Sequence, residues 1–336
     1  MKKITLFLIF LLLAVVYSTA QKSVALHSNG TTTIFGGDSP LTEAYDASIT
    51  GDTLYVSGGH FTAPATIDKG LVIIGAGYNL VSTAVTQKTY ILNTSNINLG
   101  ANASNLYLEG MEFAAGFGKG TSGPLNFSFI RCKINGGLNF TAAGGAGPPT
   151  NASIIQCDIA LNMNLSSLTY SVISNCIIRE QIASSVNNII KNNILLVGVY
   201  PTAYCSLNTF YNNIFSANVN QTYVYGSGSN NDFQYNIFAW PDPSLGTTPI
   251  DLNNYKGIDV STVYVNASEG DFHLLGDAST TYLGDDGTEV GIYGGLVPFK
   301  EGAVPINPHI SQKSIQTTTN SNGFLNISFT VEAQQN

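Results

Sequence analysis

Phe129-Ile-Arg-Cys132-Lys-Ile134, Ile154-Ile-Gln-Cys157-Asp-Ile159, Ile173-Ser-Asn-Cys176-Ile-Ile178, Ile190-Lys-Asn-Asn193-Ile-Leu195, Phe210-Tyr-Asn-Asn213-Ile-Phe215 and Phe233-Gln-Tyr-Asn236-Ile-Phe238 repeat one pattern. An apolar residue is followed by two variable positions, a Cys or Asn, one variable position and a second apolar residue. A weaker copy, Leu108-Glu-Gly-Met111-Glu-Phe113, precedes them, and the central residues are 21, 25, 19, 17, 20 and 23 positions apart. A six-residue unit cannot bury its apolar face alone, so a period of about twenty residues means that each unit is one turn of a stacked array. Ile, Val, Phe and Tyr dominate the units, Asn and Gly punctuate the gaps, and helix formers are sparse, so the units read as strands.

These features predict an all-β fold, a single-stranded right-handed parallel β-helix in which equivalent residues of successive coils stack about 4.8 Å apart. Like residues then form columns, and stacked amides bond up and down a ladder. The column Cys132, Cys157, Cys176, Asn193, Asn213 and Asn236 is the expected structural ladder, thiols at one end and amides at the other. The flanking columns, from Phe129 to Phe233 and from Ile134 to Phe238, are the expected core. Four cysteines in an exported chain ordinarily suggest two disulfides. A buried thiol ladder accounts for Cys132, Cys157 and Cys176 without any bond, with Cys205 apart from the column.

Residues 1–20 read as a secretory signal: Lys2 and Lys3, an apolar run from Leu6 to Val16, then Ser18-Thr19-Ala20. Export to the medium or the cell surface is expected, with no membrane insertion, since no later apolar stretch has the length of a membrane span. The full chain has 13 basic and 21 acidic residues, and removing Lys2 and Lys3 takes its net charge from −8 to −10. A nucleic-acid partner is not expected, because such binding needs a basic footprint.

Residues 21–50 are expected to form a polar, extended lead-in up to Gly37 and then a short capping helix, with Ser39 as cap, Pro40 at the first helical position, and Leu41, Ala44, Tyr45 and Ser48 along one face. Residues 51–298 are expected to be the coil. It opens on Gly51-Asp-Thr-Leu-Tyr-Val56 and Ile73-Ile-Gly-Ala-Gly77, and loops are expected at Gly144–Pro149, Gln221–Asn231 and Trp240–Thr248. Residues 299–336 are expected to end in a β-hairpin around Asn320-Ser-Asn-Gly323, with Leu325, Ile327, Phe329, Val331 and Ala333 as its buried face, lying on the side or lower end of the solenoid. A sorting signal is the other reading of this tail.

The opening coil, with the repeats, resembles the pectin-lyase-like right-handed parallel β-helix superfamily over about Thr53 to Gly295. Asp271-Phe-His-Leu274 and Gly291-Ile-Tyr-Gly-Gly295 are similar to the closing segment of many exported bacterial members, except that Ala278-Ser-Thr-Thr-Tyr282 replaces the usual linking run. The resemblance implies a fold but no single activity, since the superfamily includes lyases, hydrolases and adhesins. Polygalacturonase-like members carry four catalytic motifs, of which only an Asp-Asp is present, at Asp285-Asp286 in the closing segment. The Asp cluster and basic residue of pectate-lyase-like members are not visible in mid-coil.

Acid–base sugar chemistry needs two carboxylates about 5 to 9.5 Å apart, which on a solenoid means one column, one or two coils apart. The outward positions of the repeats carry Asp158, Glu180, Arg131, Arg179, Lys133 and Lys191, with no two carboxylates in one column and Lys133 beside Asp158 as a surface ion pair. The turn holding Asp285, Asp286 and Glu289 reads either as a Ca²⁺ site or as a solvated loop with Asx turns. His60 and His273 read as isolated strand-end residues. Tyr223, Tyr225, Tyr235 and Trp240 read either as rings that stack on sugar or as rings that stack on each other. The expected function is an extracellular binding or structural module without recognisable catalytic machinery, for a polysaccharide or cell-surface glycan and with no cofactor. The alternative is a polysaccharide lyase or glycoside hydrolase with a site built from loops.

Overall fold

In a computed structural model that describes residues 22–119, 123–141, 150–218 and 221–333, the chain is an all-β right-handed parallel solenoid of about nine turns. The expected signal and the Gly144–Pro149 loop lie outside the described residues. Each turn supplies one strand to each of three sheets, here A, B and C, of 12, 10 and 8 strands. The core columns stack in register. Leu54, Ile73, Leu108, Phe129, Ile154, Ile173, Ile190, Phe210 and Phe233 follow one another down sheet A. Phe61, Ile91, Phe113, Ile134, Ile159, Ile178, Leu195, Phe215 and Phe238 do so down sheet B. Alternation along each short strand sends these side chains inward, where they form one continuous core. Like rings stack on like, as where Phe210 and Phe233 lie 4.6 Å apart and nearly parallel.

Between sheets A and B the chain turns through a left-handed residue at Arg131, Gln156, Asn175, Asn192, Asn212, Tyr235 and Asn253, with φ between 50° and 56°. Asn adopts this conformation most readily among non-glycine residues, and the others carry a cost of about 1–2 kcal/mol. The next residue points inward and repairs the ladder that the turn interrupts. Asn193, Asn213 and Asn236 each donate from Nδ2 to the carbonyl of the sheet A core residue one coil back, Ile173, Ile190 and Phe210, at 2.8–2.9 Å. Each also donates to the Oδ1 of the amide one coil on, at 3.0 Å, and the ladder runs past the repeats to Asn254. The thiols make the first of these bonds: Cys132, Cys157 and Cys176 face the carbonyls of Leu108, Phe129 and Ile154 at 3.3–3.6 Å. All four cysteines are free and buried. Cys205 lies at another corner, facing the Ile182 carbonyl.

A second amide ladder, which the sequence reading missed, lines the corner between sheets C and A. Asn188, Asn208 and Asn231 donate to the carbonyls of Leu168, Ser185 and Cys205 at 2.7–3.0 Å, and Asn208 also bonds Asn231. Each sits five residues before a member of the first ladder.

At the upper end, residues expected to be an extended lead-in form a hairpin, Ser23–Ser28 with Thr31–Gly36, whose first strand pairs antiparallel with Thr53–Val56. The hairpin continues sheet A beyond the first coil and so covers its edge. The helix Pro40–Ala47 buries Pro40, Leu41, Ala44 and Tyr45 against the open end, although Ser39 makes no side-chain cap. Residues 75–88 form an excursion of turns that was not anticipated. Gln221–Asn231, expected as a loop, instead holds the sheet C strand Val224–Tyr225 and regular corners. Trp240–Thr248 keeps parallel bridges to it at Ser244 and Thr247.

The last parallel strand is Tyr255–Lys256, and the chain beyond it leaves the coil. The antiparallel pair Tyr264–Asn266 and Asp271–Leu274 leads through the helix Gly276–Thr281 into an irregular segment that runs back up the solenoid. The terminal hairpin, His309–Ile315 with Ile327–Glu332, forms as expected, but its apolar face is not buried. Leu325, Ile327, Phe329 and Val331 are all exposed, because the hairpin pairs only with itself. A cleft of about 620 Å³, lined by Phe329, Ile315, Tyr55 and Ile74 among others, separates it from the upper coils.

Two outcomes are expected from the ladders. Asn213→Ala leaves the Asn193 amide and the Ile190 carbonyl, both buried on the preceding coil, without their side-chain partner, each costing about 1–3 kcal/mol, so the urea midpoint is expected to fall by the equivalent of about 3 kcal/mol. Asn213→Cys, which restores the bond to the Ile190 carbonyl, is expected to lose less. Burial holds the Cys132 and Cys157 thiols well above the ordinary value of 9.0 and pushes Cys205 up to about 12. The unfolded chain therefore releases these protons at a lower pH than the folded one. Their contribution to stability is complete below pH 9 and declines as pH rises toward 12. In reducing buffer the melting temperature is expected to fall over that window, and less steeply in a Cys205→Ala variant.

Candidate functional site

Outside the core, sheet B presents the residue that follows each ladder position, and this column changes character halfway down. Its upper members are Glu112, Lys133 and Asp158, and its lower members are Ile177, Ile194, Ile214 and Ile237. The isoleucines lie under Val260, Val263, Tyr264, Phe272, Leu274, Val290 and Ile292 of the returning C-terminal segment, forming a second apolar cluster. The side chains of the left-handed corner hold that segment in turn. Asn212 Nδ2 donates to Asp285 Oδ1 at 2.7 Å, and Asn175 donates at 2.9 Å to the carbonyls of Ile292 and Gly294. Gln156 donates to the Pro298 carbonyl, Arg131 to the Val304 carbonyl at 3.1 Å, and Glu109 accepts from the Ile306 amide at 3.2 Å. Residues 285–306 thus form a strap along one corner of the coil.

The upper column brings two carboxylates together, contrary to the expectation that no column holds a pair. Glu112, from the weaker repeat, is in register with Lys133, and Lys133 with Asp158. Two coils separate the carboxylates, roughly 9.5 Å, at the upper limit for an inverting glycosidase. Both are buried and already engaged. Lys88 pairs with Glu112, and Asn135 donates to it at 2.8 Å. Arg179, not Lys133, takes Asp158, through two bonds of 2.7 and 2.9 Å. Tyr78, on the 75–88 excursion, reaches the same face. Burial first, and then the charge of Asp158, push its hydroxyl well above the usual range. Arg131, expected to point outward, is buried at its corner against Glu109 and Gln156. As built, the row is a set of ion pairs that fastens coils to one another.

The four aromatic residues singled out from sequence are dispersed. Tyr223 is fully buried, packed on Phe215 and Phe238, and its hydroxyl donates to the Ala217 carbonyl. Trp240 packs half-buried on the core, and Tyr235 occupies a left-handed corner. Tyr225 is 43% exposed and has two partners that the sequence reading did not select. Tyr200 stacks obliquely at 4.7 Å, and Tyr204, 52% exposed, meets it edge-on at 5.8 Å. Register explains the grouping, because Ala203 pairs with Tyr225 across sheet C, so Tyr204 and Tyr225 emerge from adjacent coils. Gly226, at φ +78°, makes room: a Cβ there would stand 2.3 Å from the Tyr204 ring. The signal available in the sequence was the Ala203-Tyr204 step, one coil before Val224-Tyr225.

The acidic turn does not converge. Asp285 bonds Asn212, while Asp286 accepts from the Thr288 amide and hydroxyl at 2.9 and 2.6 Å in an Asx turn. Glu289 is half-buried, and desolvation raises its pKa. Among the described residues no helix is long and apolar enough to cross a membrane. Comparison with family models, curated proteins and solved structures gives no match.

The strap supplies a test. Asn175→Ala removes two buried hydrogen bonds, worth about 0.5–1.5 kcal/mol each. Native-state trypsin cleavage after Lys300 is expected to accelerate about tenfold, while the coil itself stays resistant.

Proposed function

We propose that this chain is an exported β-solenoid of the pectin-lyase-like kind that binds a polysaccharide or cell-surface glycan through the tyrosine face at Tyr200, Tyr204 and Tyr225. The observation that carries this reading is the exposure of Tyr204 and Tyr225 beside the half-buried Tyr200, three clustered rings at the edge of sheet C. Pyranose rings present apolar C–H faces, and tyrosine supplies a broad apolar surface with a polar tip. Tyr204 and Tyr225 emerge from adjacent coils with ring centroids 5.8 Å apart, a separation on the scale of one sugar residue, so that neighbouring residues of a glycan would meet neighbouring tyrosines. The N-terminal pattern of Lys2, Lys3 and the apolar run to Val16 supports export, and a net charge of −8 favours a neutral glycan over a polyanionic one.

A second reading, glycoside hydrolysis, rests on the Glu112–Asp158 column. It requires the Lys88 and Arg179 pairs to open and admit water.

On a glycan array the wild-type chain is expected to retain neutral polysaccharides without turnover. Tyr204→Ala and Tyr225→Ala are each expected to weaken retention by about three- to tenfold, whereas Tyr170→Ala, an exposed tyrosine two coils away from Tyr204, leaves it unchanged. Chain cleavage of any bound glycan, abolished by Glu112→Gln or Asp158→Asn, would replace this reading with the second.

A further inference from the structure

The antiparallel pair Tyr264–Asn266 and Asp271–Leu274, the closing hairpin of the coil, meets the strap at a group of side chains that neither the core nor the tyrosine face uses. Asp271 and His273 stand on the same outward face of the strand Asp271–Leu274, two residues apart. Glu301 reaches them from the strap. His273 Nδ1 lies 2.8 Å from Asp271 Oδ1 and 3.4 Å from Glu301 Oε1. One ligand atom from each of the three residues falls within 4.8 Å of the other two. A single ring nitrogen carries one proton and satisfies one acceptor, yet here two carboxylates converge on the same nitrogen. The second carboxylate, Glu301, gains no proton from the ring and stands close to the charge of the first.

Tyr293 fixes this arrangement. Its ring lies flat on the His273 imidazole, centroids 3.7 Å apart and planes within 9°. Its hydroxyl donates to Glu301 Oε1 at 3.0 Å. The imidazole therefore has a set orientation, and one carboxylate is held by an outer hydrogen bond, which is how ligands are oriented around a metal ion.

We propose that Asp271, His273 and Glu301 form a Zn²⁺ site that pins the strap to the closing hairpin. Tetrahedral ligands at about 2.1 Å from Zn²⁺ stand about 3.4 Å from one another. The His273–Glu301 distance already has that value, and the His273–Asp271 distance reaches it with a shift of about 0.6 Å. One imidazole nitrogen with two carboxylate oxygens suits Zn²⁺ better than Ca²⁺, which takes oxygen ligands only and more of them. The exposed side of the group leaves the fourth position to water.

The test is titration of the metal-depleted full chain with Zn²⁺, read by calorimetry and by trypsin cleavage after Lys300. One saturable site is expected, with slower cleavage in the Zn²⁺-bound form and no comparable effect of Ca²⁺. His273→Ala is expected to weaken binding at least a hundredfold and Tyr293→Phe about tenfold, while Asp285→Ala and His27→Ala leave it intact. His273 is largely exposed, and equal melting temperatures of wild type and His273→Ala in chelator would establish that the variant folds. Absence of saturable binding, equal binding by His273→Ala, or Zn²⁺ binding that leaves strap cleavage unchanged would each overturn the proposal.

Discussion

The fold depends on keeping buried backbone carbonyls bonded at a corner where the parallel ladder is interrupted. A strand can hand its hydrogen bonds to the next coil, but the left-handed turn between sheets A and B breaks that exchange once per coil. An unpaired carbonyl inside the core costs about 1–3 kcal/mol, and the same corner recurs in every coil. One inward side chain with a donor resolves each break. Asn does so with a second donor to spare for its neighbour, giving a continuous amide column from Asn193 to Asn254. Cys makes the same carbonyl contact in the upper coils, from Cys132 to Cys176, and Cys176 Sγ also accepts from the Cys157 amide at 3.4 Å. Cys and Asn are therefore interchangeable here because of what they donate to, despite their difference in polarity.

Once the corner is fixed, its outward residues become available as a second set of contacts, and the C-terminal segment uses them. The lower outward column of sheet B is a row of isoleucines that no coil can cover. Their burial under Val260, Phe272, Leu274 and Ile292 accounts for the return of the chain along the outside. Asn175 and Asn212 then serve twice, relaxing the left-handed turn and donating to the strap. In the upper coils, where the column carries Glu112, Lys133 and Asp158, the cover is a set of ion pairs instead. The same column position thus distinguishes an end of the solenoid that needs an apolar lid from one that does not.

The core columns and the ladder were legible in the sequence because each depends on a residue recurring at one place in the period. The second ladder was equally regular, at Asn188, Asn208 and Asn231, but short polar residues before a strand read first as turn punctuation. The switch from Lys133 and Asp158 to Ile177 and Ile194 was also in plain view, and it marks a covered surface. Identifying the cover required knowing that the chain doubles back. The strap has no period, and most of its bonds are made by its backbone, so its sequence carries little sign of its position. The terminal hairpin shows the opposite failure. Alternation correctly gave two strands with one apolar face, but alternation says nothing about whether another surface meets that face.

The tyrosine face obeys the same constraint as the core. Tyr204 and Tyr225 stand side by side because Ala203 and Tyr225 are fixed in register, and that register is held from within by the amide columns. A ring carried on a flexible loop would have to be ordered when a glycan binds, at a cost of roughly 0.5–1.5 kcal/mol for each side chain immobilised. Here the coil has already met much of that cost for the backbone, and Gly226 leaves Tyr204 the space to lie against it. On the proposed reading, a regular polymer would meet rings whose register the protein's own packing fixes.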